Sequence, residues 1–104
     1  MAQPKFQSLK GMHDLLPPDS EEWLELVDRF RQHFGRAGYG YIQTPILEDL
    51  DVFARVGEGT DVVTKEMYDF VDKDGSTIAL RPESTAGVAR SFIQHRPLVP
   101  WKVW

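Results

Sequence analysis

The sequence has 104 residues, of which 41% are hydrophobic and 27% are charged, a composition typical of an ordinary soluble globular protein. This length excludes a second full domain. Twelve Lys and Arg residues stand against sixteen Asp and Glu, which gives a formal net charge of -4, and the basic residues are scattered along the chain. Because binding to a phosphate backbone needs clustered cations, we expect the chain alone to bind nucleic acid poorly.

Cysteine is absent, which excludes disulfides, thiolate metal sites and cysteine nucleophiles. The first ten residues contain no apolar run, and no stretch approaches 18 consecutive apolar residues. These observations predict a cytoplasmic protein that is neither exported nor membrane-spanning.

Prolines and a glycine interrupt residues 1–18, which predicts an extended arm. Asp19 and Glu22 then have the spacing of a capping box, and apolar residues at the spacing of one helix face predict a helix over residues 20–37. We expect this apolar stripe to lie in a core or a subunit interface. Its members are Trp23, Leu26, Val27, Phe30 and Phe34.

The middle of the chain predicts short elements. Residues 39–44 are aromatic and β-branched, typical of a strand stopped by Pro45, while apolar residues three apart over 47–56 predict one or two helical turns. The two glycines within residues 57–60 predict a flexible joint. Two apolar segments, 67–71 and 77–80, flank a polar turn that contains Gly75, and this pattern predicts a β-hairpin.

Residues 85–95 have the pattern of a second helix, which we expect to stop before Pro97. Residues 101–104 alternate like a strand that has just begun, and its apolar edge would lack a partner. We therefore expect the chain to be part of a longer protein.

A single dense polar cluster, Arg81, Pro82, Glu83, Ser84 and Thr85, lies between the predicted hairpin and the second helix. The carboxylate of Glu83 and an oriented hydroxyl of Thr85 could bind a small ammonium group. Alternatively, Ser84 or Thr85 is simply an N-cap and Glu83 stabilises the helix dipole. The spacing alone favours the cap. The three histidines share no ligand spacing, so we expect no metal site.

Four segments in order resemble histidyl-tRNA synthetase, a class II aminoacyl-tRNA synthetase. They are KGMHDLLP at 10–17, YGYIQTPILE at 39–48, GEGTDVVTKEMYDF at 57–70 and LRPESTAGVAR at 80–90. The resemblance covers nearly the whole chain. It implies an α+β fold, an antiparallel sheet with flanking helices, of which this chain forms the amino-terminal part of a class II catalytic domain.

Within that domain the resemblance implies an arm at 1–18, motif 1 at about 19–48, the joint and hairpin at about 57–80, and the amino-acid-site junction and helix at 81–95. Motif 1 builds the homodimer interface in this family, which implies interface roles for Phe30, Phe34 and Pro45. Glu83 and Thr85 would contact the α-amino group of histidine.

Arg81 and Ser84 would neighbour the pocket, and Ser84 stands where the family usually has glycine, which would narrow the pocket floor or alter the start of the helix. The resemblance implies no catalytic or metal-binding residue within the chain, because the arginines that grip ATP belong to motifs 2 and 3, expected after Trp104.

The resemblance implies that the full-length protein is an enzyme, a homodimer that activates histidine with ATP and Mg²⁺ and transfers it to histidine tRNA. The chain alone should be inactive. The alternative is a regulatory paralogue, the histidine-binding subunit of ATP phosphoribosyltransferase. Glu83 within an intact Arg-Pro-Glu-x-Thr pattern and the complete GTDVVTKEMYDF segment at 59–70 favour the synthetase.

Overall fold

A computed structural model describes residues 2–54 and 66–104, which form an α+β fold as predicted. The predicted joint at 57–60 lies outside these residues. The elements in chain order are α1 (Asp19–Arg36), β1 (Leu47–Asp49), α2 (Asp51–Ala54), β2 (Asp69–Val71), β3 (Thr77–Leu80) and α3 (Thr85–His95). The chain divides into two compact units, one that extends to Tyr41 and includes Trp104, and one that spans Ile42–Val103.

The first unit is built on α1, whose predicted span is confirmed to within one residue. The predicted capping box is wrong. Pro18 already has helical dihedral angles and occupies the N-cap position without a side-chain cap, and its carbonyl accepts hydrogen bonds from the amides of Glu21 and Glu22. Asp19 and Glu22 both lie inside the first turn, where their negative charges complement the positive end of the helix dipole.

The apolar stripe of α1 stays largely exposed, since no residue of this helix is buried against the described part of the chain. Trp23 is 55% exposed, and Leu26 and Phe30 are each 46% exposed. Phe34 is half-buried because its ring packs against those of Phe30 and Trp104, with centroids 5.6 and 6.0 Å away. The stripe therefore does not form a core among residues 2–54 and 66–104, and its interface role stays a prediction.

Two predicted strands are absent from the described residues. Residues 39–44 are irregular apart from one bridged residue, because the sheet begins beyond Pro45, where β1 pairs with β3. That pairing also overrides the helical turns predicted over 47–56: residues 47–49 form β1 and residues 51–54 form α2, while residues 55–56 lie outside the described part of the chain. Residues 101–104 form no strand either and contain only one bridged residue, Val103. The amide of Trp104 donates to the carbonyl of Gly40, and its ring packs against Tyr41 with the centroids 5.0 Å apart, so this end of the chain has partners.

The second unit contains an antiparallel three-stranded sheet in the order β1-β3-β2. The predicted hairpin is confirmed as β2 and β3, and Gly75 takes the positive φ of 89° that its turn requires. Hydrogen bonds from the side chain and backbone of Ser76 lower the pKa of Asp74 below its ordinary 3.8. The lowered pKa means that this carboxylate stabilises the turn above pH 3.8, and that the stabilisation is lost as pH falls through the lowered value.

Small side chains allow α3 to approach the sheet. Ala79 of β3 and Ala86 of α3 are 0% and 3% exposed, and Phe53 of α2 completes this compact core. The predicted helix over 85–95 is confirmed as α3. Among the described helices, none combines the length and apolar character needed to cross a bilayer.

Candidate functional site

The predicted polar cluster lies at the four-residue connection between β3 and α3. Backbone hydrogen bonds hold its start: the amide of Arg81 donates to the carbonyl of Ile46 at 3.0 Å, and the amide of Leu80 donates to Tyr68 at 2.9 Å. Pro82 follows directly, and α3 begins at Thr85. The connection therefore leaves the central strand at a fixed position and turns into the helix within a few residues.

The Glu83 side chain caps α3. Its two carboxylate oxygens accept hydrogen bonds from the backbone amides of Thr85 at 2.5 Å and Ala86 at 2.9 Å. Ser84 occupies the N-cap position, but its side chain makes no capping hydrogen bond. The cap predicted from the spacing thus exists, and the side chain that makes it is Glu83 rather than Ser84 or Thr85.

Capping leaves Glu83 able to bind a ligand as well. An ionised carboxylate offers about four lone-pair sites, and the two helix amides use only two of them. Both Glu83 and Thr85 are exposed. The helix amides therefore fix the direction of a negatively charged group whose remaining acceptors are accessible to a cation.

Ser84 fits its position without backbone strain. Its φ of -105° and ψ of -20° lie in the right-handed region that any residue adopts. Its carbonyl accepts the amide of Val88 at 3.1 Å, so α3 opens regularly. The effects expected from Ser84 in place of glycine, on the helix start and on the pocket floor, stay predictions.

A buried ion pair that the local sequence pattern does not predict lies behind the junction. Glu48 of β1 is only 8% exposed, and one of its carboxylate oxygens accepts hydrogen bonds from Nε and Nη2 of Arg90 at 3.1 and 2.9 Å. A buried charge needs such a partner. The sequence contains one signal for this pair, since Glu48 and Arg90 are each a charged residue beside apolar positions. Arg90 also lies one helical turn beyond the small residues Ala86 and Gly87.

A second long-range contact was missed on the other side of the junction. Nη1 of Arg81 donates to both the carbonyl oxygen and the hydroxyl of Thr44, at 2.9 and 3.0 Å. Arg81 was predicted as a pocket neighbour. In the structure its guanidinium is bound to the 44–48 segment.

An apolar groove of about 610 Å³ runs along the exposed side of α3. Ser84 and Thr85, at the start of the helix, line one part of it. The remaining lining residues are Val88, Ala89, Phe92, Ile93 and Trp101. The rings of Phe92 and Trp101 pack with their centroids 5.5 Å apart. The groove thus places an apolar surface directly beside the polar junction.

The three residues predicted to form the dimer interface are divided between the two units. Phe30 and Phe34 belong to the first unit, and Pro45 is an exposed residue of the second. Within residues 2–54 and 66–104 no three His, Cys, Asp or Glu side chains are grouped closely enough to hold a metal ion.

Comparison with known proteins gives one consistent family. The family model described as histidyl-tRNA synthetase matches residues 11–99. The histidine–tRNA ligase of a Nitratiruptor species is 50% identical over 92 residues, which cover 88% of this chain and 23% of that relative. The chain therefore spans about a quarter of the length of the curated relatives it matches.

Solved structures agree. The apo histidyl-tRNA synthetase of S. aureus matches with a TM-score of 0.80 and 37% identity, covering 94% of this chain and 24% of that chain. A Bacillus halodurans protein described as an ATP phosphoribosyltransferase regulatory subunit/histidyl-tRNA synthetase matches with a TM-score of 0.75 and 27% identity, covering 98% and 27%.

The close approach of α3 to the 44–48 segment makes a prediction for Gly87. A Cβ at this position would lie 3.4 Å from the Glu48 carboxylate and the Thr44 hydroxyl, an ordinary contact distance. Gly87→Ala should therefore be tolerated, whereas Gly87→Leu should overpack this contact and destabilise α3 by about 1 to 3 kcal/mol.

Amide hydrogen exchange along α3 measures the difference in stability between the two variants. Gly35→Leu in α1, where a Cβ meets nothing within 4 Å, is the matched control, and equal protection of α3 in the two Gly87 variants would contradict the close approach.

Proposed function

The chain belongs to the histidyl-tRNA synthetase family, and from this premise we propose that the full-length protein is a histidine–tRNA ligase. It activates histidine with ATP and transfers the histidyl group to histidine tRNA. The observation that carries the proposal is the accessible, amide-held carboxylate of Glu83 in a chain 50% identical to a histidine–tRNA ligase. We propose the cytoplasm as its compartment; the lack of cysteine in residues 1–104 fits a reducing environment.

Glu83 and Thr85 bind the α-amino group of histidine in this proposal. The carboxylate supplies the negative charge and two free acceptor sites, and the Thr85 hydroxyl supplies a neutral oxygen beside it. Arg81 and Ser84 flank the pair. Holding the ammonium group fixes one end of the substrate, so that its own carboxylate can be presented to ATP in a reactive orientation.

Activation joins the histidine carboxylate to the α-phosphorus of ATP and releases pyrophosphate. Mg²⁺ would neutralise phosphate charge in such a step. Residues 2–54 and 66–104 contain no group of three metal-ligating side chains. The ATP contacts are assigned to the part of the protein that this chain does not span. The isolated chain is accordingly expected to be inactive.

A histidine-binding regulatory subunit of ATP phosphoribosyltransferase is the second candidate, because the Bacillus halodurans match carries that description. Its 27% identity is well below the 50% shared with the ligase. Histidine-dependent exchange of pyrophosphate into ATP separates the two candidates, since a regulatory subunit would bind histidine but would not catalyse this exchange.

The full-length protein is further proposed to be a homodimer that uses the exposed stripe of α1, including Phe30 and Phe34, together with Pro45. In support of this, Trp23, Leu26 and Phe30 present neighbouring apolar surface that no described residue buries. Large exposed apolar patches mark interaction sites in soluble proteins. In a symmetric dimer the same patch would be used by both subunits.

This exposed stripe predicts that the isolated chain self-associates. Combining Leu26→Glu with Phe30→Glu places charge in the patch and should weaken association at least about tenfold, because each glutamate would have to be desolvated at the interface. Sedimentation velocity over a concentration series measures the change. Gln32→Glu adds charge on the opposite side of α1 and should leave association unchanged. A monodisperse monomer for the unsubstituted chain would contradict the interface.

The substrate role of Glu83 predicts the effect of Glu83→Gln in the full-length protein. The change keeps the size but removes the charge, and a charge-assisted hydrogen bond contributes about 1.5 to 3 kcal/mol. The kcat/KM for histidine in ATP–pyrophosphate exchange should therefore fall by roughly 10- to 200-fold, with the KM for ATP nearly unchanged.

A cap without a substrate role predicts a different result for the same preparation. Stability would fall by about 0.5 to 2 kcal/mol, and histidine kinetics would stay nearly normal. Glu21→Gln is the matched control, because Glu21 is an exposed carboxylate in the first turn of α1. Unchanged histidine kinetics in Glu83→Gln would remove Glu83 from the substrate site.

A further inference from the structure

We propose that Glu48, Arg81 and Arg90 are positioning residues that fix the Glu83 carboxylate by tying both sides of its junction to the 44–48 segment. The proposal rests on the proposed function and deepens it, since it names the residues that hold the histidine ammonium site in place. None of the three is proposed to touch the substrate.

The first tie lies two residues before Glu83. The backbone amide of Arg81 donates to the carbonyl of Ile46, and its guanidinium donates twice to Thr44. The backbone and the side chain of Arg81 thus both bind the 44–48 segment. These hydrogen bonds fix the position at which the chain leaves β3.

The second tie lies on α3, after the junction. Arg90 binds one oxygen of Glu48 with two of its nitrogens, and the two side chains are 27% and 7% exposed. Glu48 itself is fixed in the sheet, because β1 pairs it with Ala79, which is 0% exposed. This ion pair therefore links α3 to the most buried part of the second unit.

The Glu83 carboxylate moves with the start of α3, since it is hydrogen-bonded to the amides of Thr85 and Ala86. Arg90 lies about 7.5 Å further along the same helix at 1.5 Å per residue. Between them lies Gly87, where an added Cβ would already be 3.4 Å from the Glu48 carboxylate and from the Thr44 hydroxyl. A tilt or slide of α3 would break the Arg90 pair, so the pair opposes any such displacement of the carboxylate.

A displacement of about 1 Å is enough to matter, because misplacement on that scale can lower an enzymatic rate about 100-fold. The decisive variant is the double substitution Glu48→Gln with Arg90→Gln in the full-length protein. It removes both charges together and so avoids an unpaired buried charge, which by itself would destabilise the fold. Arg90→Lys serves as a second variant, as it keeps the charge but cannot reproduce the two-nitrogen contact.

The readout is ATP–pyrophosphate exchange with histidine and ATP varied separately, beside the melting temperature. The double variant should lower kcat/KM for histidine by about 10- to 100-fold while the KM for ATP changes less than about twofold. Arg90→Lys should fall between this variant and the unsubstituted protein. A purely structural pair would lower the melting temperature without changing the histidine KM of the folded enzyme.

The matched control is Gln94→Ala. Gln94 accepts a hydrogen bond from Nη1 of Arg90 at 2.7 Å on the exposed side of α3, so this change removes a partner of the same guanidinium and leaves the Glu48 pair intact. Histidine kinetics should stay unchanged in the control. A loss equal to that of the double variant would overturn the assignment to Glu48.

Glu83→Gln separates failure of this inference from failure of the proposed function. If Glu48 and Arg90 act through Glu83, adding their substitutions to Glu83→Gln should lower histidine kcat/KM little further. A full additional loss in that background, or normal histidine kinetics in the double variant when Glu83→Gln alone is impaired, would overturn the positioning role and leave the proposed function standing. Normal histidine kinetics in Glu83→Gln would overturn both.

Discussion

Strand β3 is the constraint on which the second unit depends, because both β1 and β2 obtain their ladder hydrogen bonds from it. Its position in the centre of the sheet fixes where it ends, at Leu80, and therefore where the polar connection to α3 begins. Ala79 in this strand and Ala86 in α3 are small enough to bring the helix close to the sheet. The candidate site thus lies where a rigid strand meets a closely packed helix.

The two interpretations of Glu83, helix cap and substrate ligand, are compatible in this geometry. Two amides of the first helical turn hold the carboxylate, and its charge complements the positive end of the helix dipole. A carboxylate oriented in this way loses little conformational freedom when a cation binds, since the helix has already ordered it. The stabilising role therefore prepares the proposed binding role.

The helices and the hairpin could be predicted because their signals are local. α1 follows from apolar spacing between a proline-containing arm and a glycine-containing break, α3 from apolar spacing between Pro82 and Pro97, and the hairpin from two apolar segments around Gly75. β1 could not be predicted from its own residues, since the apolar period over 47–56 favours a helix until pairing with β3, much later in the chain, overrides it. The exposed stripe of α1 shows the same limit, because periodicity identifies an apolar face but not what covers it.

Some residues of the candidate site could be predicted from the sequence and others could not. Glu83 and Thr85 were found from their order in the chain, together with the family resemblance. Glu48 and Arg90 were missed because 42 residues separate them, and only the folded sheet brings them together. Long-range ion pairs of this kind have no counterpart in local spacing.

A crystal structure of the full-length protein with histidine bound tests the role of Glu83 most directly. We expect a Glu83 carboxylate oxygen about 3 Å from the α-amino nitrogen, with the carboxylate still bonded to the helix amides and Glu48 still paired with Arg90. A histidine whose amino group lies beyond hydrogen-bonding distance of Glu83, on other side chains, would contradict it.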